Sequence, residues 1–156
     1  ALWDDPDRMR TVAEAGLDVL FDEPTVDRTK VAAIGYCFGA ALVLELARAG
    51  APLKAVVGFH PGLRTSRPED SRNITGVVQI CVGADDPYVT PEDRIAFERE
   101  MREASVDWRM HVYGRVQHTF THPNASDAGL PGLVYHQPTA ERAWRTMLDV
   151  FDEVFA

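Results

Sequence analysis

Ile34-Gly35-Tyr36-Cys37-Phe38-Gly39-Ala40-Ala41, continued by LVLELA over Leu42 to Ala47, is the stretch whose reading decides the fold. A cysteine stands between two glycines, after an apolar run that starts at Val31 and before a helical pattern that Gly50 stops. The layout is strand, tight turn, helix. Such a turn needs small residues beside its central one, whose side chain is then left exposed above the strand. Cys37 at this position has a chemical reading, because a helix N-terminus offers unpaired N–H groups and a positive dipole end that favour a thiolate. The N–H of Phe38 would then face a developing oxyanion. It also has a packing reading, in which Cys37 is a small buried hydrophobe and the glycines only let helix and strand approach. The stretch alone leaves both open.

Working outward, short β-branched runs alternate with helical patterns, the mark of a mainly parallel sheet covered by helices in an α/β, three-layer arrangement. A helix after Asp5-Pro6, with apolar positions Met9, Val12, Leu17 and Leu20, ends before Glu23-Pro24. Strands are expected at Val31–Ile34, Lys54–Phe59, Val77–Val82 and Val106–Tyr113, about four in this chain, and helices at Ala40–Ala49 and from Pro91 to about Ala104. Thr90-Pro91-Glu92-Asp93 has the form of a helix start, with an N-cap and a proline in the first turn. Trp144, Met147, Leu148, Phe151, Val154 and Phe155 fall at helical spacing in a closing helix, read as a core face.

Composition narrows the function classes. The 156 residues, with 46% hydrophobic and 26% charged, suit one domain over residues 1–156 that can bury a core. Sixteen Lys and Arg against twenty-four Asp and Glu give a net charge of -8 and no basic stripe, which argues against nucleic acid and against membrane surfaces as partners. No apolar run reaches the ~20 residues needed to span a bilayer, and ALWDDPDRMR lacks a signal-peptide layout. A soluble, cytoplasmic protein is the expectation. Two cysteines in apolar surroundings make neither a disulfide framework nor a zinc ligand set.

A thiol nucleophile needs a base, and the base needs an orienting group. After the third strand comes Gly83-Ala84-Asp85-Asp86-Pro87-Tyr88-Val89, which carries two carboxylates, and after the fourth comes Gly114-Arg115-Val116-Gln117-His118, which carries an imidazole. The C-terminal ends of the strands of an open parallel sheet form one crevice, so the three groups converge there. The chain order nucleophile, acid, histidine is that of the α/β-hydrolases.

In GYCFGA around Cys37, GADDPYVTPED around Asp86, HVYGRVQHTFTHP around His118 and VYHQPTAERAWRTMLDVF near the end, the sequence resembles the dienelactone hydrolase family over nearly its whole length. The resemblance implies Cys37 as nucleophile, His118 as base and then acid, and an orienting aspartate, which the family's D-x-x-V pattern assigns to Asp86 rather than Asp85. It implies hydrolysis of an ester or lactone with no cofactor and no metal. Some members carry an arginine four residues after the histidine that holds a substrate carboxylate, and here that position is His122. It further implies that an N-terminal part is lacking, with strands, a second oxyanion donor and a glutamate beside the cysteine. The elbow strand would then offer an open edge for self-association.

Other residues carry two readings each. His118 and His122 have the i, i+4 spacing of a metal pair, but Pro123 breaks the helix this would need. Cys81 lies in a buried strand and is read as inert. His60, at the end of the second strand, either touches substrate or caps its loop, and Tyr36 either faces the pocket or packs. The segment from His122 to Pro138 is long enough to be a lid over the site or a surface loop. Against the hydrolase stands a catalytically incomplete, flavodoxin-like module used for binding or assembly, and a third reading makes Cys37 a redox-sensing thiol.

Overall fold

A computed structural model describes residues 5–156. Ala1 to Asp4, the first four residues of the stretch compared with a signal peptide, lie outside the described residues. Helix α1 (Pro6–Phe21) is followed by strand β1 (Ala32–Tyr36), helix α2 (Phe38–Arg48) and strands β2 (Ala55–Phe59) and β3 (Val77–Gly83). Helix α3 (Pro91–Glu103), strand β4 (Trp108–Tyr113) and helix α4 (Gln137–Phe155) complete the chain. Short 3₁₀ turns occupy Pro68–Asn73 and Ala125–Ala128.

All four strands are parallel, in the order β1-β2-β3-β4, with Ile34 opposite Val57, Val57 opposite Gln79 and Gln79 opposite Arg109. Alternation along the strands splits the core in two. Val56, Val78, Ile80 and Val82 face α2 and α3, joined by Leu44, Ala47, Phe97 and Met101. Val57, Phe59 and Cys81 face the other way, under Ala143 and Met147 of α4. The sheet thus has helices on both faces, and β1 is one edge of it.

The element bounds differ from the expected ones for local reasons. Helix α2 begins at Phe38, two residues early, because the Cys37 carbonyl already accepts from the N–H groups of Ala40 and Ala41. Strand β4 begins at Trp108 because Val106 N–H is drawn back to the Met101 carbonyl at the end of α3. The amphipathic stripes are narrower than the spacing suggested. Met9 and Ala13 are the buried residues of α1, while Val12 and Leu20 are exposed, and Trp144 and Leu148 of α4 are exposed beside buried Met147 and Val150.

A buried ionic cluster ties the first core to the loop after β2. Arg48, 1% exposed, donates to both carboxylate oxygens of Glu100 at 2.8 and 3.1 Å and to Glu45 at 2.9 Å. The Ser71 hydroxyl also donates to Glu100, and Arg10 bridges Glu45 to Asp70. Arg48 reaches the Leu63 carbonyl as well, at 3.4 Å. Charges this far from water persist only when fully paired, so the cluster holds α2, α3 and the Leu63 loop in one arrangement.

Candidate active site

The loops after the four strands meet at the C-terminal end of the sheet. The turn from β1 to α2 is so close that a Cβ on Gly35 would lie 2.3 Å from the Gly39 carbonyl oxygen, so only glycine fits there. Gly39 itself has open space, and its contribution is to be the wall that Gly35 meets. Cys37 takes φ of 50° and ψ of -117°, outside the ordinary regions for a residue with a side chain. Its N–H donates to the Phe59 carbonyl at 3.0 Å, which pins the strained residue to β2. His60 and Thr119, also in this crevice, have φ of 41° and 58°.

His118 stands between Cys37 and Asp86. Its Nδ1 lies 2.7 Å from Asp86 Oδ2 and its Nε2 lies 3.2 Å from Cys37 Sγ. Asp86 and His118 are both buried, and Asp86 Oδ1 accepts from the Tyr88 N–H at 2.8 Å. With both carboxylate oxygens engaged, the Asp86 side chain cannot turn away, and Nδ1 of His118 is the donor to it. Asp85 points elsewhere: it is exposed, and its N–H donates to the Val116 carbonyl.

The electrostatics favour an ion pair. Burial works to lower the His118 pKa, but the hydrogen bonds to Asp86 and Cys37 outweigh it and raise the imidazole to about 9. The hydrogen bond from His118 lowers the Cys37 thiol against the opposing effect of burial, and the Phe38 N–H, hydrogen-bonded to the same sulfur, adds to the lowering. Cys81 is the contrast: burial raises its thiol, which sits 3.8 Å from the hydroxyls of Tyr113 and Thr146.

Two cavities flank the Cys37 sulfur. One, of about 500 Å³, is lined by Cys37, His118 and Thr119 together with Leu63, Tyr88, Val89, Leu130 and Leu133. The other, of about 530 Å³, includes Tyr36, Cys37, His60, Thr119, Thr121 and His122 in its wall. Tyr36 is partly exposed and stacks on Phe59 at 4.8 Å, so it both packs and faces the cavity. His60 is 1% exposed, with Nε2 at 2.8 Å from the Thr121 hydroxyl and its ring 5.0 Å from that of His118. Burial first, and the neighbouring His118 second, push its pKa down to about 3. His122 is exposed on the rim, with Nδ1 accepting from the Asn124 N–H. Among the described residues no group of three His, Cys, Asp or Glu side chains is placed to hold a metal ion.

The segment after His122 crosses back over the first cavity. Val134 N–H donates to the His118 carbonyl, His136 N–H to the Phe120 carbonyl, and the Tyr88 hydroxyl to the Pro131 carbonyl at 2.9 Å. Leu130 and Leu133 are thereby brought beside Cys37, a position their place in a long polar segment did not signal. Tyr88 was also missed as a cavity residue, although it sits inside the quoted GADDPYVT motif and packs edge-on against His118.

The profile of the dienelactone hydrolase family matches residues 2–155. The chain belongs to that family. A dienelactone hydrolase-like promiscuous phosphotriesterase from metagenomic libraries is 43% identical, with a TM-score of 0.92 over 98% of this chain. A structure named m3DLH is 46% identical, with a TM-score of 0.95 over 99% of the chain. The architecture is the α/β-hydrolase fold of these dienelactone hydrolase relatives. The chain spans about two thirds of their length, 64% and 65%. An uncharacterized protein of Caenorhabditis elegans is 28% identical, and there the match covers 96% of both chains. Among the described residues no helix is long and apolar enough to cross a membrane.

Proposed function

We propose that this member of the dienelactone hydrolase family is a cysteine-dependent hydrolase of small esters or lactones, with Cys37, His118 and Asp86 as its triad. The observation that carries this reading is the pair of distances at His118, 3.2 Å to the thiol and 2.7 Å to the carboxylate. The raised imidazole and the lowered thiol both shift toward the thiolate–imidazolium form that this reading uses. Cys37 Sγ attacks the carbonyl carbon, and the Phe38 N–H, which donates to the sulfur at rest, leaves it as the charge passes to the oxyanion that the N–H then meets. As the C–O bond breaks, His118 Nε2–H protonates the leaving oxygen, which releases an alcohol and leaves a thioester. The now neutral imidazole takes a proton from water, the hydroxide attacks the thioester, and the acid departs as thiolate and imidazolium are restored. Asp86 holds the Nδ1–H tautomer throughout.

The residues required, from nucleophile to orienting acid, come from the ends of three strands of one sheet, β1, β3 and β4, which is support for a site rather than a packing accident. Mass spectrometry after brief mixing with an aryl acetate tests the reading. An acetyl group on the peptide containing Cys37, absent from Cys37→Ala, is the expected result, and steady hydrolysis without such an adduct would refute it. The absence of both adduct and turnover would favour the binding-module alternative. A second reading, attack of the same thiolate on a phosphotriester, is favoured by the activity named for the relative at 43% identity. A phosphoryl adduct on Cys37 from a diethyl aryl phosphate would support it.

A further inference from the structure

Cys37 lines two cavities, and His118 lines one of them and not the other. An ester held over the thiol has two halves, and the half that carries the leaving oxygen must lie within reach of His118 Nε2–H, since that proton completes its departure. This assigns the halves. We propose that the cavity of Leu63, Tyr88, Val89, Leu130 and Leu133 receives the alcohol half, that the cavity of Tyr36, His60, Thr121 and His122 receives the acyl half, and that the substrates are esters of neutral, apolar alcohols or phenols. The proposal rests on the cysteine-hydrolase reading above and adds the substrate class.

Three features of the alcohol cavity fit that class. Its volume of about 500 Å³ lies within the roughly 300–1,000 Å³ of small-ligand pockets, enough for an aryl ring or a medium alkyl chain. Four aliphatic side chains and one tyrosine ring stand in its mostly apolar wall, and the Tyr88 hydroxyl is engaged by the Pro131 carbonyl rather than turned inward. The charges at its rim cancel. Arg64 donates from Nε and Nη2 to the two oxygens of Asp93, at 2.7 and 3.3 Å, and Asp93 Oδ2 also accepts from the Thr90 N–H. A guanidinium already forked onto a carboxylate has little left to offer an anionic alcohol.

The acyl cavity sets Phe59, Pro123, Ala140 and Trp144 around the hydrogen-bonded pair of His60 and Thr121, with the exposed His122 also in its wall, so it too is mostly apolar.

Two series of alkyl esters test the assignment without changing leaving-group acidity: acetates of methanol, butanol and hexanol, and methyl esters of acetic, butyric and hexanoic acids. The expected result is kcat/KM rising by roughly threefold per methylene along the alcohol series, with a slope that depends on Leu130 and Leu133, and an acyl series whose slope does not. Leu133→Ala and the exposed Leu130→Ala should each flatten the alcohol series several-fold while leaving the acyl ratios alone. Leu130→Lys should raise activity toward an acetate ester of a hydroxy acid relative to butyl acetate. A slope in the acyl series that Leu130→Ala or Leu133→Ala removes would overturn the proposal by reversing the halves. A flat alcohol series in a protein that still forms acetyl-Cys37 would overturn it while sparing the hydrolase reading. Failure to form acetyl-Cys37 with any ester would overturn both.

Discussion

Replacing Asp86 by asparagine keeps the shape of the side chain but takes away the negative charge that His118 Nδ1 meets at 2.7 Å. The amide oxygen can still accept from Tyr88 N–H, and the amide NH₂ then faces Nδ1, so the imidazole is driven to the tautomer with its proton on Nε2 and its lone pair on the wrong nitrogen. The magnitude follows from the pKa. His118 stands at about 9 against an ordinary 6.5, although burial pulls it down, and the bonds to Asp86 and Cys37 supply the rise. At about 1.4 kcal/mol per unit, losing most of that rise costs the imidazolium roughly 3 kcal/mol, a rate factor on the order of 100. The assay is steady-state hydrolysis of an aryl acetate by Asp86→Asn and, as control, Asp85→Asn, whose side chain is exposed. The first should lose on the order of 100-fold in kcat and the second less than a few-fold. The sign with pH is also determined. The wild-type rate falls as pH rises through about 9, where His118 loses the proton that it gives to the leaving oxygen, and in Asp86→Asn this limb moves to lower pH. Equal losses in the two variants, or an unmoved alkaline limb, would refute the assignment.

Iodoacetamide should alkylate Cys37 with a half-point below the ~8.5 of a free thiol, and Cys81 only slowly, because His118 lowers the first thiol while burial raises the second. Peptide mapping across pH checks this, and equal labelling of both would contradict it. His118→Ala should cost ~1,000-fold or more in kcat, whereas His122→Ala, which removes an exposed imidazole at the cavity mouth, should change mainly KM. The 156-residue chain should self-associate through the open edge of β1, where Ile34 and Tyr36 are each 40% exposed, and Ile34→Lys should shift sedimentation toward monomer. A wild-type monomer at high concentration would remove that expectation.

What the sequence by itself determined is the set of local features. Proline starts, the Thr90 N-cap and the alternation of β-branched runs with helices are written in neighbouring residues, because they depend on backbone propensity and on caps formed within a single turn. The strand–turn–helix around Cys37 was equally legible, since Gly35 answers to a contact only four residues away. Motif order placed Cys37, Asp86 and His118 after the first, third and fourth strands. The tertiary structure alone decided how they meet. The D-x-x-V pattern singled out Asp86 from its chemically identical neighbour only by resemblance, and the fold supplies the physical reason by turning Asp86 to His118 and Asp85 to water. Likewise nothing local distinguished Leu130 and Leu133 from ordinary loop residues, and the backbone bonds from residues 134 and 136 to the His118 loop bring them into the wall of the cavity that Cys37 lines. The width of each buried helical stripe was decided in the same way. A 3.6-residue period shows which positions share a side, whereas the neighbouring element determines which of them, Met147 but not Trp144, loses its water.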